Sequence, residues 1–229
     1  MKMVTVAGAP SCGKTSVILH LAQELARSGI KPAVVKFDCI SSQDETVYRD
    51  AGIEVSTGLA GGLCPDHFFV SNIDAAWKWA ERCGADLLIT ESAGLCSRCS
   101  PHIKGIPAVC VIDNLSGVNT PRKIGPMLRT ADIVVITKGD IVSQAEREVF
   151  AYRVRRVNPA AKIFACNGLT GQGIFALHRE IEHSEEIAGV EGKVLRFTMP
   201  AALCSYCLGE RKVGHDYQIG NTRTMNFKN

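Results

Sequence analysis

The chain has 229 residues, of which 46% are hydrophobic, enough for one large domain with a sizeable core. Its 26 basic residues are nearly offset by 23 acidic ones, so the net charge of +3 gives no indication of a nucleic-acid partner. No apolar run reaches the roughly 18 to 20 residues of a membrane span, and no signal-peptide pattern precedes the first predicted strand. We therefore expect a cytoplasmic protein without a membrane span.

Short runs rich in β-branched residues alternate with helical patterns along most of the chain. The predicted strands lie at 2–8, 31–38, 86–92, 107–113, 132–138 and 161–167. Helical periodicity predicts helices at 13–28, 70–83, 143–156 and 172–183. Nearly continuous apolar strands separated by helices indicate an α/β fold, with a mostly parallel sheet flanked by helices on both faces. Ligands bind such sheets beyond the carboxyl ends of the strands.

A phosphate-binding motif follows the first predicted strand and opens the first predicted helix. The stretch "GAPSCGKT", Gly8 to Thr15, fits the pattern G-x-x-x-x-G-K-[ST]. The loop amides and the helix amino terminus bind phosphate oxygens, while Lys14 neutralises charge and Thr15 can ligate magnesium. The motif therefore predicts a nucleoside triphosphate site.

Acidic residues end two of the predicted strands, where a magnesium ion and an attacking water would lie. Asp38 ends the second strand, and Glu91 ends "LLITE" just before a glycine-containing loop. We expect Thr15, Asp38 and Glu91 to hold magnesium, and Lys14, Asp38 and Glu91 to act in hydrolysis. The alternative for either acid is a helix N-cap or a solvated strand end.

The stretch "TKGD", Thr137 to Asp140, matches the last three positions of the guanine signature N-K-x-D, with Thr137 in place of asparagine. A carboxylate facing adenine would lose part of its pairing, at a cost of about 1 to 3 kcal/mol, so Asp140 favours GTP over ATP. The loop at 166–173 is expected beside the base. The residues predicted to bind the nucleotide are Gly8, Ser11, Cys12, Gly13, Lys14, Thr15, Ser16, Lys138 and Asp140.

Taken together, "GAPSCGKT", "KFD" with a further acid at Asp44, "LLITESAG" and "TKGD" resemble the metallochaperone GTPase family of the SIMIBI class. Within that family, the motifs are similar to those of the hydrogenase nickel-incorporation and urease accessory GTPases. Motor ATPases of the class carry an extra lysine early in the phosphate loop, where this chain has Ala9 and Pro10. The resemblance implies a P-loop NTPase fold, GTP with Mg²⁺, a nucleotide-dependent homodimer and a client metalloenzyme.

The resemblance covers about residues 1–185, which we assign to a P-loop GTPase domain. The polar stretch at 182–193 is typical of a linker, and a further strand is predicted at 194–199. The remaining residues show no clear period but contain a C-x-x-C pair. We therefore treat 186–229 as a C-terminal extension.

The family resemblance also bears on "CPDH", Cys64 to His67. The urease GTPase has a Cys-Pro-His metal motif in this region, and "CPDH" is similar to that motif with one residue inserted, which implies that Cys64 and His67 are metal ligands. Two copies related by a dimer axis would complete an S₂N₂ set suited to zinc or nickel. The alternative is a loop cysteine and a surface histidine beside a helix start.

The chain contains ten cysteines, and four of them form C-x-x-C pairs: Cys96 with Cys99, and Cys204 with Cys207. Each pair can bind one ion, and two pairs can make a Cys₄ site for zinc or hold an iron-sulfur cluster. The pairs can combine within one chain or across a dimer. A structural zinc in the extension and a redox relay are the alternatives.

The leading hypothesis is a GTP-hydrolysing, dimerising accessory protein that carries a transition metal or cluster during metalloenzyme maturation. The second is a nucleotide-gated electron-transfer protein with a subunit-bridging iron-sulfur cluster. A small-molecule kinase with a structural zinc ranks last, because the sequence offers no acceptor site.

Overall fold

The computed structural model describes residues 1–40, 44–197, 210–218, 220 and 222–227. Its centre is a seven-stranded sheet in the order β3-β2-β4-β1-β5-β6-β7, and every neighbouring pair of strands is parallel. The strands are β1 (Lys2–Gly8), β2 (Pro32–Asp38), β3 (Glu54–Leu59), β4 (Leu87–Glu91), β5 (Ala108–Asp113), β6 (Ile133–Thr137) and β7 (Lys162–Ala165). Parallel pairing brings the carboxyl ends of all seven strands to one edge of the sheet.

Helices cover both faces of this sheet in the described part of the chain. They are α1 (Lys14–Arg27), α2 (Asp44–Asp50), α3 (Pro65–Arg82), α4 (Thr120–Lys123), α5 (Pro126–Arg129), α6 (Gln144–Val157) and α7 (Ile174–Glu182). Helices α1 and α7 pack on one face of the sheet, and α3 packs on the other. Buried residues alternate between the two faces along β2, with Val34 on the α1 side and Val35 on the α3 side. A third cluster joins α5 and α6 to β5 and β6.

Local sequence explains where several helices begin. Helix α3 starts at Pro65, whose missing N–H is no loss at the first helical position. Helix α6 starts with a capping box, because Ser143 and Glu146 each accept a hydrogen bond from the other's backbone N–H.

The α/β class and the six predicted strands of the sheet are confirmed. Strand β3 and helix α2 were not predicted, because "EVSTGL" lies at the sheet edge and has little apolar character. The strand predicted at 194–199 is wrong over its described residues, where Val194 and Leu195 form only isolated bridges to Lys212 and Ile103.

The described part of the C-terminal extension packs on the α3 face of the sheet. Leu195, Val213 and Met225 are buried in the same cluster as α3, and Asn72 accepts a hydrogen bond from the Met225 N–H. The division at 185/186 stays a prediction. Among the described residues, no helix is both long and apolar enough to cross a membrane.

Candidate nucleotide and metal site

The phosphate loop joins β1 to α1 at the carboxyl edge of the sheet. The Lys14 ammonium is buried and donates hydrogen bonds to the carbonyls of Gly8 and Ala9, each at 3.0 Å. Helix α1 begins at Lys14, with Gly13 as its N-cap. The loop therefore places a positive charge and a helix amino terminus together, an arrangement suited to phosphate oxygens.

Acidic side chains and one lysine meet beside the phosphate loop. The Thr15 hydroxyl lies 2.9 Å from Glu91 Oε1 and 3.1 Å from Asp44 Oδ2. The ammonium of Lys36 lies 3.1 Å from the same Glu91 oxygen, contacts Asp44 Oδ2, and is 3.7 Å from Asp38 Oδ2. We call Thr15, Lys36, Asp38, Asp44 and Glu91 the acidic cluster.

Strand register explains this convergence. Lys36 of β2 and Glu91 of β4 are direct partners in neighbouring parallel strands, so their side chains share one face. Helix α2 adds Tyr48, which donates a hydrogen bond of 3.0 Å to Glu91 Oε2. Both carboxylate oxygens of Glu91 are thus engaged, although only 1% of the residue is exposed.

The electrostatics keep Lys36 positively charged. Burial works against its protonation, but the charge of Glu91 and the hydrogen bond to Asp44 outweigh burial and raise its pKa above the ordinary value. Burial and the same Glu91 charge raise the pKa of Tyr48 well above its usual value, so its hydroxyl stays a donor. The oxygen atoms of Thr15, Asp38, Asp44 and Glu91 form the hard donor set that magnesium prefers.

The "TKGD" stretch begins at Thr137, the last residue of β6, and contacts the phosphate loop. The hydroxyl of Thr137 donates to the Cys12 carbonyl at 2.6 Å, and the ammonium of Lys138 donates to the Ser11 carbonyl at 2.7 Å. Thr137 therefore connects the "TKGD" stretch to the phosphate loop through its short side chain. Asp140 is exposed and lines a cleft of about 690 Å³.

The predicted 166–173 loop borders the same region. Asn167 lines the cleft together with Asp140, and Gly168 lies against Ser16 of α1. The carbonyl of Gly168 accepts from the ring of His20 at 3.1 Å, if the Nε2 atom carries the proton. The loop thus borders the cleft together with Asp140, and its Gly168 packs against α1.

A second cluster lies beyond the acidic cluster, where α3 meets the segment that follows β4. One ligand atom each from Asp66, Cys96 and Cys99 lies within 4.8 Å of the others. Asp66 is 3% exposed and Cys99 is 2% exposed, and Asp66 Oδ2 is a buried atom without a hydrogen-bond partner among the described residues. We call these three residues the thiol cluster.

Two more cysteines, Cys39 and Cys64, lie close enough to the thiol cluster to interact with Asp66 electrostatically. Burial, followed by the charge of Cys64, raises the pKa of Asp66 to about 7, although a hydrogen bond from Cys99 acts in the opposite direction. Burial and the charges of Asp66 and Cys96 raise the pKa of the Cys99 thiol. Burial and the charges of Asp38, Cys64 and Asp66 likewise raise the pKa of Cys39.

His67 is buried at 2% exposure, and its Nε2 atom has no hydrogen-bond partner among the described residues. Burial lowers its pKa. The structure brings Asp66 to the two thiols, whereas His67 is not part of the thiol cluster. Successive helical residues point about 100° apart, so the first turn of α3 cannot aim both side chains in one direction.

The segment from Glu91 to Cys99 connects the two clusters. Gly94 has φ +71°, and a Cβ atom there would lie 1.7 Å from the Gly8 carbonyl oxygen and 3.4 Å from the Lys14 ammonium. Gly94 therefore packs directly on the phosphate loop, two residues before Cys96.

The structure brings together Lys14, Thr15, Asp38 and Glu91, and separately Cys96 and Cys99 with Cys64 nearby. The residues Cys204 and Cys207 lie outside the described residues. Sequence analysis did not predict roles for Lys36, Cys39, Tyr48 and Asp66. Only Asp66 had a local signal, its place between Cys64 and His67.

The fold and the phosphate loop define a P-loop nucleotide-binding protein. Residues 2–165 match the family model described as CobW/HypB/UreG, nucleotide-binding domain. The chain is 48% identical over 225 residues to an uncharacterized protein of Methanocaldococcus jannaschii, covering 98% of this chain and 96% of that one. It is 32% identical over 186 residues to the urease accessory protein UreG of Yersinia enterocolitica, covering 75% and 83%. The chain belongs to the CobW/HypB/UreG family.

Solved structures show the same fold. The structure of HypB from Helicobacter pylori in complex with nickel matches with a TM-score of 0.63 at 21% identity, covering 82% of this chain and 91% of that one. The hydrogenase maturation factor HypB from Archaeoglobus fulgidus matches with a TM-score of 0.62 at 21% identity, covering 80% and 89%. The P-loop NTPase fold expected from the sequence is confirmed.

Proposed function

We propose that this protein binds and hydrolyses GTP and uses that cycle to hold and release a transition-metal ion during maturation of a client metalloenzyme. One observation carries the proposal. A single segment contributes Glu91 to the acidic cluster, Gly94 to a contact with the phosphate loop, and Cys96 and Cys99 to the thiol cluster. Movement of this segment would affect both clusters, so nucleotide and metal affinities would be linked.

In this proposal the residues of the phosphate loop and of "TKGD" bind GTP. Lys14 pairs with the phosphates, Thr15, Asp38, Asp44 and Glu91 supply the magnesium ligands, and Asp140 accepts hydrogen bonds from the guanine edge. Magnesium, when bound, offsets the phosphate charge. Glu91 and Asp38 orient the attacking water.

The metal is the protein's cargo, and we propose zinc or nickel in preference to an iron-sulfur cluster. Two thiolates and a carboxylate suit zinc, whereas clusters are usually held by four cysteine thiolates. The orphaned Asp66 Oδ2, buried beside both thiols, supports a ligand role for this carboxylate. HypB from Helicobacter pylori, which shares the fold, has been crystallised with nickel.

We also propose that GTP promotes a homodimer and that Cys64 of each subunit adds a fourth metal ligand to the three of the thiol cluster. His67 and the pair Cys204 and Cys207 are further candidate ligands. We likewise propose that residues 186–229 form a C-terminal extension of the GTPase domain and that the protein is cytoplasmic.

The nucleotide half of the proposal is tested with purified protein and magnesium. We expect GTP hydrolysis, tighter binding of GTP than of ATP, and an increase in molar mass with a non-hydrolysable GTP analogue, measured by light scattering. Equal affinity for ATP, or no hydrolysis, would contradict this half.

The metal half is tested on protein prepared without oxygen. The double variant Cys96→Ser with Cys99→Ser should lose zinc and nickel binding in equilibrium dialysis but keep its GTP affinity. Cys83→Ser is the matched control, because Cys83 lies at the other end of α3 and outside the thiol cluster. Equal metal binding by the double variant would overturn the assignment, and a visible absorption band from iron would favour a cluster.

A further inference from the structure

The ammonium of Lys36 is surrounded by the oxygen atoms that are assigned to magnesium. It lies 3.1 Å from Glu91 Oε1, 3.4 Å from Thr15 Oγ1 and 3.7 Å from Asp38 Oδ2, and it also contacts Asp44 Oδ2. Only 8% of the side chain is exposed. Among the described residues, no other lysine or arginine forms an ion pair with Asp38 or Glu91.

An ammonium and a divalent ion cannot share these ligands at full strength. Like charges about 4 Å apart repel by several kcal/mol in a partly buried site, where the effective dielectric constant is about 20. The Glu91 oxygen nearest Lys36 is also the one nearest the Thr15 hydroxyl. A cation held there by Thr15 and Glu91 would therefore take the place of the ammonium.

We propose that Lys36 is an internal counter-cation that occupies the magnesium position and must be displaced when the ion binds, with the phosphates of the nucleotide receiving the displaced ammonium. This inference rests on the proposed GTP and magnesium site. It makes Lys36 a residue that couples the two ligands. Magnesium binds weakly to the protein alone, because it competes with Lys36, and binds more tightly once phosphate oxygens give Lys36 new partners.

A purely structural role for Lys36 makes the opposite prediction. If the lysine only holds β2, α2 and β4 together, its loss loosens the acidic cluster and weakens ion binding with and without nucleotide. If it competes with the ion, its loss tightens ion binding in the protein alone. The sign of the change therefore separates the two roles.

The test measures Mn²⁺ binding by electron paramagnetic resonance, with and without a non-hydrolysable GTP analogue. Lys36→Met should tighten Mn²⁺ binding to nucleotide-free protein by at least about tenfold, from removal of charge repulsion. The factor by which the analogue enhances Mn²⁺ binding should shrink by a similar amount. Lys162→Met is the matched control, since Lys162, on the distant edge strand β7, forms an exposed ion pair with Glu180.

Unchanged or weaker Mn²⁺ binding by nucleotide-free Lys36→Met would overturn the inference. Lys36→Gln, which keeps a hydrogen-bond donor without the charge, provides the same test if the methionine variant does not fold. A third measurement uses the wild-type protein and records the ¹⁵N nuclear magnetic resonance signals of its buried lysine ammonium groups. The variant Lys14→Met identifies which signal belongs to Lys14. The Lys36 signal should lose its protection from exchange when magnesium and the analogue bind, and retention of that protection would contradict displacement.

The wild-type arm separates this inference from the proposed function. If wild-type protein fails to bind the GTP analogue with Mn²⁺, the proposed function is wrong. If it binds both but the Lys36 variants show no tightening, only the counter-cation role is wrong.

Discussion

The contact between Gly94 and the phosphate loop gives a prediction whose size follows from the structure. Gly94 has φ +71°, and a Cβ atom there would lie 1.7 Å from the Gly8 carbonyl oxygen. Gly94→Ala should therefore lower the free energy of unfolding in two ways. The left-handed backbone costs a non-glycine residue about 1 to 2 kcal/mol, and forcing the two backbone segments apart costs about 1 to 3 kcal/mol more.

Gly52→Ala is the matched control. Gly52 has φ +73°, almost the same conformation, but a Cβ atom there meets nothing within 4 Å. It should therefore show only the backbone cost, about 1 to 2 kcal/mol. The difference between the two variants measures the contact of Gly94 with Gly8.

The assays are denaturant unfolding and titration with a fluorescent GTP analogue. Gly94→Ala should be less stable than Gly52→Ala by at least about 1 kcal/mol, a further loss of about 2 to 4 °C in melting temperature. It should also bind the analogue at least about tenfold more weakly, because displacement of Gly8 also displaces the Lys14 ammonium, which donates a hydrogen bond to the Gly8 carbonyl. The reasoning is refuted if the two variants are equally stable, or if Gly94→Ala binds the analogue as tightly as the wild type.

Three further predictions use single side chains. Burial, aided by the charge of Arg196, lowers the pKa of His102 to about 3, below its unfolded value of 6.5. Between these two pH values the unfolded chain binds a proton that the folded protein does not. The free energy of unfolding should therefore fall by roughly 1.4 kcal/mol per pH unit as the pH drops below 6.5. His102→Gln should lose that part of the slope in unfolding measured at several pH values. Asp140→Ala should reduce the preference for GTP over ATP at least about tenfold in competition binding, whereas Glu148→Ala, in the same cleft, should not. Asp66→Ala should weaken zinc or nickel binding in dialysis with both thiols intact, and unchanged affinity would exclude this carboxylate as a ligand.

The parallel α/β fold could be predicted because its strands are continuous apolar runs that alternate with helical periods. The elements that were missed are short or lie at the edge, where burial does not impose a pattern. Strand β3 has only two buried residues, Val55 and Gly58, in its six positions. The segment at 194–197 was predicted as a strand from its apolar residues, but Leu195 is buried in the hydrophobic cluster that includes α3 and forms only an isolated bridge.

The sequence by itself determined the phosphate loop, because its residues are neighbours in the chain and their spacing alone defines the motif. It also predicted a base-recognition role for the "TKGD" stretch on the same basis. It also placed Asp38 and Glu91 at strand ends. It did not reveal that Lys36 lies beside Glu91, since this depends on the order and register of strands β2 and β4.

The tertiary structure alone decided which side chains face the thiols. Asp66 and His67 are adjacent in the chain, yet the phase of α3 directs only the carboxylate toward Cys96 and Cys99. Likewise, nothing local to Gly94 shows that it packs on Gly8, far earlier in the chain, because that contact arises when β1 and β4 pair side by side. Chemistry carried by contiguous residues can be predicted from sequence, whereas chemistry assembled from different elements depends on helix phase and strand order.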